Sequence, residues 1–189
     1  MVSITTVAAV GGGLGEGDLL FGVACEANAI TAVTALDGLP VDHVAIYHEI
    51  GGLPFVLEAY PGHGVWLAPL DTMLARGSVV AARVAGVDVN SSITCAMRRV
   101  GQPYDELFDA EGEATYCSEL VQQCYVDSAG RLVFEPIPMT FRDRDGQIPQ
   151  QWIDLYARRG RPVPEGAPGS NPAALLRHPR VSSIIKVKP

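Results

Sequence analysis

An α+β fold is expected for this chain, on three observations. Between Gly17 and Val89 the sequence runs as short β-prone stretches separated by glycine- and proline-bearing turns. After Asn90 apolar residues recur at helical spacing instead. The clearest helical stripe begins at Cys117, with Leu120, Val121, Cys124 and Tyr125 on one side. Strands first and helices later is the α+β order. At 189 residues, 48% of them apolar and 19% charged, the chain suits one globular domain spanning residues 1–189.

Each element follows from local chemistry. Gly17 to Val23 reads as a strand entered through a glycine-rich turn. Cys25 to Leu39, rich in Ala and Thr and carrying Ile30, Val33 and Leu36, reads as a short helix or irregular segment closed by Asp37-Gly38 and Pro40. Val41 to His48 and Leu53 to Tyr60 form a hairpin about Gly51-Gly52. Val44 and Ile46 then share a core face with Phe55, Leu57 and Ala59; the other face carries His43, Ala45, Tyr47, Val56, Glu58 and Tyr60. In this register Ala45 opposes Glu58, and His43 is diagonal to Glu58 on the same face. A one-residue slip would drive the Glu58 carboxylate into the apolar face, so the pattern itself selects the pairing.

The turn Pro61-Gly62-His63-Gly64 leads to a third strand, Val65 to Leu70, and a fourth follows at Ser78 to Val84. Such strands predict an antiparallel sheet or a small barrel. Asn90 or Ser91 caps a helix running to about Arg99, with Ile93, Met97 and Val100 as its apolar stripe. For the Cys117 helix, Thr115 is the expected N-cap, and Ser118 and Glu119 suit the first turn. Leu132 to Phe134 is a short strand, Ile148 to Arg158 a helix with Trp152, Leu155 and Tyr156 inward, and Val181 to Val187 a final edge strand. The Pro- and Gly-rich run from Gly160 to Pro172 reads as an ordered loop rather than a second domain.

Composition excludes several functions. A net charge of −7 and the lack of any basic run argue against nucleic acid or an anionic membrane surface as partner. No apolar run reaches the ~18 residues that span a bilayer. Met1 to Val10 lacks a basic region and is followed by Gly11-Gly12-Gly13, so it is not read as a signal peptide. Cys25, Cys95, Cys117 and Cys124 are irregularly spaced without a CxxC, and with His43, His48, His63 and His178 they make no compact metal-ligand pattern. The expectation is reduced thiols, no metal or cofactor, and a cytoplasmic setting.

One constellation carries chemistry. A cysteine in a helix's first turn meets unpaired backbone N–H groups and the positive end of the helix dipole, which favour the thiolate. Nucleophilic catalysis needs that thiolate, a base within reach and a third group to orient the base. Cys117, His43 and Glu58 supply one of each: His43 ionises near neutral pH, and Glu58 would fix its tautomer and stabilise its imidazolium.

The runs Gly17-Asp18-Leu19-Leu20-Phe21, His43-Val44-Ala45-Ile46-Tyr47, Glu58-Ala59, Gly64-Val65 and Pro69-Leu70 resemble the barrel half of NlpC-type papain-fold peptidases. Gly101-Gln102-Pro103-Tyr104-Asp105 and then Tyr116-Cys117-Ser118-Glu119-Leu120-Val121 resemble their nucleophile half. In those peptidases the cysteine half comes first. Here it comes second, as in the circularly permuted YiiX/YaeF-like amidases, with lecithin:retinol acyltransferase a more distant relative. Trp152 and the loop from Val163 to Pro172 resemble that subgroup as well.

The resemblance implies a permuted papain-like fold, with a small antiparallel barrel or sheet packed on the nucleophile helix. It implies Cys117 as nucleophile, His43 as base and Glu58 as the polar third member, and it adds a hydroxyl near the nucleophile, for which Tyr104 and Tyr116 are the candidates. The expected function is a cysteine hydrolase of amide bonds acting on a cell-wall peptide fragment or an acyl or lipid amide. The alternatives are an acyltransferase using the same acyl-enzyme and a catalytically inactive binding domain.

Overall fold

A computed structural model describes residues 13–34, 39–109 and 112–188 of the chain. In order, the elements are β1 (Leu19–Val23), α1 (Ala29–Thr34), β2 (Val41–Ile50), β3 (Leu53–Tyr60), β4 (Gly64–Pro69), α2 (Leu70–Ala75), β5 (Ser78–Val84), α3 (Val89–Arg98), α4 (Cys117–Cys124), β6 (Ile137–Pro138), α5 (Gln150–Arg158), β7 (Pro168–Gly169), α6 (Pro172–Leu176) and β8 (Val181–Lys188). Met1 to Gly12, Leu36, Asp37 and Gly38, on which some expectations fell, lie outside the described residues.

Six strands pair antiparallel in the order β4-β3-β2-β1-β5-β8. This is an open sheet with β4 and β8 at its edges, so the barrel alternative gives way to the sheet. Gly51 and Gly52 both take left-handed φ values, +60° and +80°, which a two-residue hairpin turn requires at both positions. The resulting register pairs Ile46 with Leu57 and Tyr47 with Val56, as the alternation demands.

Helices α4 and α6 cover one face of the sheet. Val44, Ile46, Leu57 and Ala59 pack there against Leu120, Val121, Cys124, Tyr125, Ala173 and Leu175. An eight-residue helix is too short to hold itself in water. Burial of its apolar side chains, worth about 1.5–3 kcal/mol for each large one, fixes α4 on the sheet. The second face is also covered: Leu20, Ala45, Tyr47, Val56, Ala68 and Ala81 meet Leu70 and Met73 of α2, a helix not foreseen between the third and fourth strands.

Several local expectations are corrected. Helix α4 starts at Cys117 with Tyr116 in the cap position, extended at φ −99° and ψ 168° and without a side-chain cap bond. Thr115 sits one residue too early and donates its hydroxyl to Gln102 Oε1 at 3.0 Å instead. Helix α3 is capped by Asp88, whose carboxylate accepts the Ser91 N–H at 3.1 Å, rather than by Asn90 or Ser91. Its inward residues are Ser92, Ile93 and Ala96, and Met97 and Val100 are exposed.

That rotation brings Cys95 to the C-terminal end of α4, where it forms a disulfide with Cys124 across a Cα separation of 5.4 Å. The expectation of four reduced thiols therefore fails, because partners 29 residues apart meet only once α3 packs on α4. Cys25 and Cys117 are free. Leu132 to Phe134 makes one isolated bridge, Leu132 with Val126, and no strand. The Gly160 to Pro172 loop is pinned where β7 pairs with β6. In α5, Trp152 and Tyr156 are buried as the helical spacing required.

Candidate active site

The site lies where β2, β3 and the start of α4 converge. Pairing of β2 with β1 passes from Gly22–His43 to Val23–Val41, so Asp42 is an extra residue. A bulge of this kind bends the strand and re-aims the side chain beside it. His43 Nε2 lies 2.5 Å from Glu58 Oε2, which is the diagonal contact the register demands. The Cys117 thiol is the ring's other polar neighbour and acts on its charge. With Nε2 committed to Glu58, Nδ1 is the nitrogen left for it.

Glu58 is fully buried. Its charge is sustained by three donors. Arg76, which caps the C-terminus of α2, reaches both carboxylate oxygens with Nη2 at 2.7 Å. Trp66, directly opposite on β4, donates Nε1–H to Oε1 at 3.2 Å. The Arg76 guanidinium also lies 4.1 Å from the centre of the Tyr60 ring, and Tyr60 in turn meets His43 edge to face at 5.4 Å.

These contacts decide the charges. Burial alone would pull the His43 imidazolium down, but hydrogen bonds and charge from Cys117 and Glu58 outweigh it and push the ring up to about 9. Burial alone would push the Glu58 carboxyl up; His43 and then Arg76 outweigh that and hold it below its usual value. At neutral pH the ring is an imidazolium against a carboxylate.

His43, Arg76 and Tyr104 line one cleft of about 610 Å³, whose walls also carry Glu26, Asn28 and Asp42. Cys117 opens onto a separate narrow cavity of about 40 Å³, walled by Val33, Phe108, Met139, Phe141 and Trp152. Ile30 of α1 borders both. The two tyrosines differ. Tyr104 stands in the cleft, its hydroxyl held well above its ordinary pKa by burial and then by the Cys117 charge. Tyr116 is buried, accepts the Ser170 N–H at 3.1 Å and points its hydroxyl at Met139 Sδ, 3.8 Å away. Tyr104 is carried by the loop after α3, which docks on β4 through Val65 N–H to Gln102 O and Gly101 N–H to Val65 O, both 2.8 Å. Gly64 permits that approach: its φ is +72°, and a Cβ there would lie 2.1 Å from Gln102 O.

The family model described as permuted papain-like amidase, YaeF/YiiX, C92 family, matches residues 14–185. The chain belongs to this family. It is 28% identical over 182 residues to YiiX of Escherichia coli (strain K12), a protein described as uncharacterised, covering 92% of this chain and 87% of that one. It is also similar to a crystal structure described as that of the metalloprotein yiiX from Escherichia coli O157:H7, with a TM-score of 0.75, 25% identity, and coverage of 92% of this chain and 98% of that one. The permuted papain-like fold and a hydrolase of the cysteine amidase type follow from the family.

Two residues of this amidase's site escaped the sequence, Arg76 and Trp66. Trp66 had a signal: a hairpin about the Pro61 to Gly64 turn places it opposite Glu58. Arg76 had none, since α2 was not foreseen.

The paired charges set a pH window for stability. His43 is raised in the fold from 6.5 to about 9, so its contribution is complete below pH 6.5 and is lost as pH rises towards 9. Glu58 is lowered from 4.5, so its contribution is complete above pH 4.5 and is lost on acidification. In urea unfolding, the stability that the parent holds over His43→Ala should fall by an amount on the order of 3 kcal/mol between pH 6.5 and 9.5. An equal alkaline loss in His43→Ala would place its origin elsewhere.

Proposed function

We propose that the chain hydrolyses amide bonds through a thioester on Cys117. The observation that carries this reading is His43 held between the Cys117 thiol and the Glu58 carboxylate. The Cys117 thiolate attacks the substrate carbonyl, and the carbonyl oxygen becomes an oxyanion. Cys117 is the first residue of α4, and its N–H has no carbonyl one turn back to bind; that donor and the Tyr104 hydroxyl receive the oxyanion. The His43 imidazolium passes its proton to the departing amine as the C–N bond breaks. His43 then takes a proton from water, whose oxygen attacks the thioester; the carboxylic acid leaves and the thiolate–imidazolium pair is restored. Glu58 keeps Nε2 occupied and Nδ1 facing the sulfur throughout. Tyr116, its hydroxyl already engaged, acts by packing.

The substrate this supports is a peptide fragment or short acyl amide. The wide cleft carries polar and charged walls, which suit the amine side of a peptide. The apolar cavity beside Cys117 is narrow, about 40 Å³, room for a short apolar group and not for a long acyl chain as it stands. The description of the relative as a metalloprotein is not carried over. Among the described residues no three His, Cys, Asp or Glu side chains come together as a metal site, and no step is routed through one. No helix of the described residues is long and apolar enough to cross a membrane. The cytoplasmic expectation rested on the absence of a signal-peptide pattern and on reduced thiols; the Cys95–Cys124 bond removes the second support and favours an oxidising compartment.

The test is alkylation of Cys117 by iodoacetamide as a function of pH. A thiolate forming well below the free value of about 8.5, with the shift lost in His43→Ala, supports the pair. Ordinary thiol behaviour unchanged by His43→Ala would overturn the reading.

A further inference from the structure

Glu58 has more partners than orienting a histidine requires. Its Oε2 serves His43 at 2.5 Å and Arg76 Nη2 at 2.7 Å together, while Oε1 serves Arg76 again and Trp66. Arg76 is no free surface cation. Its side chain is only 25% exposed, its guanidinium is stacked on Tyr60, and its position is fixed by the end of α2, where its own N–H bonds Met73 O at 3.1 Å. An arginine is charged at every working pH. The carboxylate is therefore already neutralised by a permanent cation before His43 takes up a proton, and the two cations compete for one oxygen.

We propose that Arg76 is a positioning residue that tunes the proton affinity of His43: it keeps Glu58 ionised and turned towards the ring, and by sharing Oε2 it stops the carboxylate from holding the imidazolium too firmly to give up its proton. The inference rests on the hydrolase reading for its catalytic meaning, though not for its electrostatics. The sign follows from Coulomb's law. A guanidinium beside the same carboxylate repels the imidazolium, so removing its charge raises the affinity of His43 for its proton. The other groups facing the ring are Glu58 and Tyr60 from β3, Cys117 from α4, Asp42 beside it on β2, and Tyr104 across the cleft. None of these carries a fixed positive charge; Arg76, paired with Glu58, does.

The experiment is titration of the His43 ring by NMR, assigned by loss of its signal in His43→Ala. It is run in a Cys117→Ala background, so that the outcome is independent of thiol chemistry and of any substrate. Arg76→Gln is expected to raise the His43 midpoint by at least half a pH unit. That variant leaves the buried carboxylate with His43 as its remaining cationic partner, and the loss of Arg76 could unfold it, so a second comparison removes the carboxylate's charge. Glu58→Gln leaves Arg76 facing the ring without a counter-ion and should lower the midpoint; adding Arg76→Gln to Glu58→Gln should bring it back up by at least half a unit. A midpoint that Arg76→Gln leaves unmoved in whichever background folds overturns the inference. Failure of Cys117 alkylation to show a low-pH thiolate would instead overturn the hydrolase reading and leave this result standing.

Discussion

Replacing Cys117 with alanine is expected to lower kcat on an amide substrate by about 10⁴-fold or more while the protein stays folded. The magnitude follows from the role proposed: without the sulfur no thioester forms, and in enzymes with a nucleophile–base pair removal of the nucleophile forfeits nearly all of the covalent contribution. The stability side follows from position. Cys117 is the first helical residue of α4, where alanine fits the backbone, and the loss of one buried sulfur costs about 1 kcal/mol. Leu120, Val121 and Tyr125 still hold α4 on the sheet. Single-turnover kinetics together with a urea melt would measure both quantities. Residual hydrolysis within tenfold of the parent, in a folded protein, would mean that the sulfur is not the nucleophile.

Glu58→Ala should have the largest effect on stability of any change at the site, about 3–5 kcal/mol. The side chain is wholly buried, and its removal does more than open a cavity. Arg76 Nη2 and Trp66 Nε1 lose their acceptor, His43 Nε2 loses its partner, and the guanidinium is left without a counter-ion. Breaking one side of a buried charge network costs more than the network itself contributes, because the surviving charge stays desolvated. Glu58→Gln, which keeps the volume and one acceptor oxygen, should cost distinctly less. Urea denaturation of both variants at pH 6 gives the comparison; equal and small losses, under about 1 kcal/mol, would show that the carboxylate is a passive occupant.

The contrast between these residues explains what could be read in advance. His43 and Glu58 lie on neighbouring strands joined by a glycine pair, and period-two alternation with a short turn is local information. Cys117 announced itself by starting an apolar helical stripe. Arg76 reaches Glu58 from the end of a helix 18 residues further along, and nothing near it in sequence shows which way it turns. The Cys95–Cys124 bond was hidden for a related reason: it depends on which face α3 turns to α4. The Met97 and Val100 stripe pointed to the wrong face because both side chains, though apolar, lie in solvent. The cap of α4 was misplaced by one residue because Thr115 has the chemistry of a cap but another acceptor nearby in Gln102. The cavities were not legible at all, since their walls come from segments as distant as Ile30 and Trp152.

The disulfide has a consequence for how an active molecule is made. Four thiols emerge from synthesis, and the pairing of Cys95 with Cys124 leaves Cys117 available. Any bond that captured Cys117 would consume the nucleophile and anchor the wrong end of α4. Because Cys95 and Cys124 meet only when α3 and α4 have docked, native packing itself selects the harmless pair. Oxidation then ties the far end of the helix and leaves the Cys117 end open.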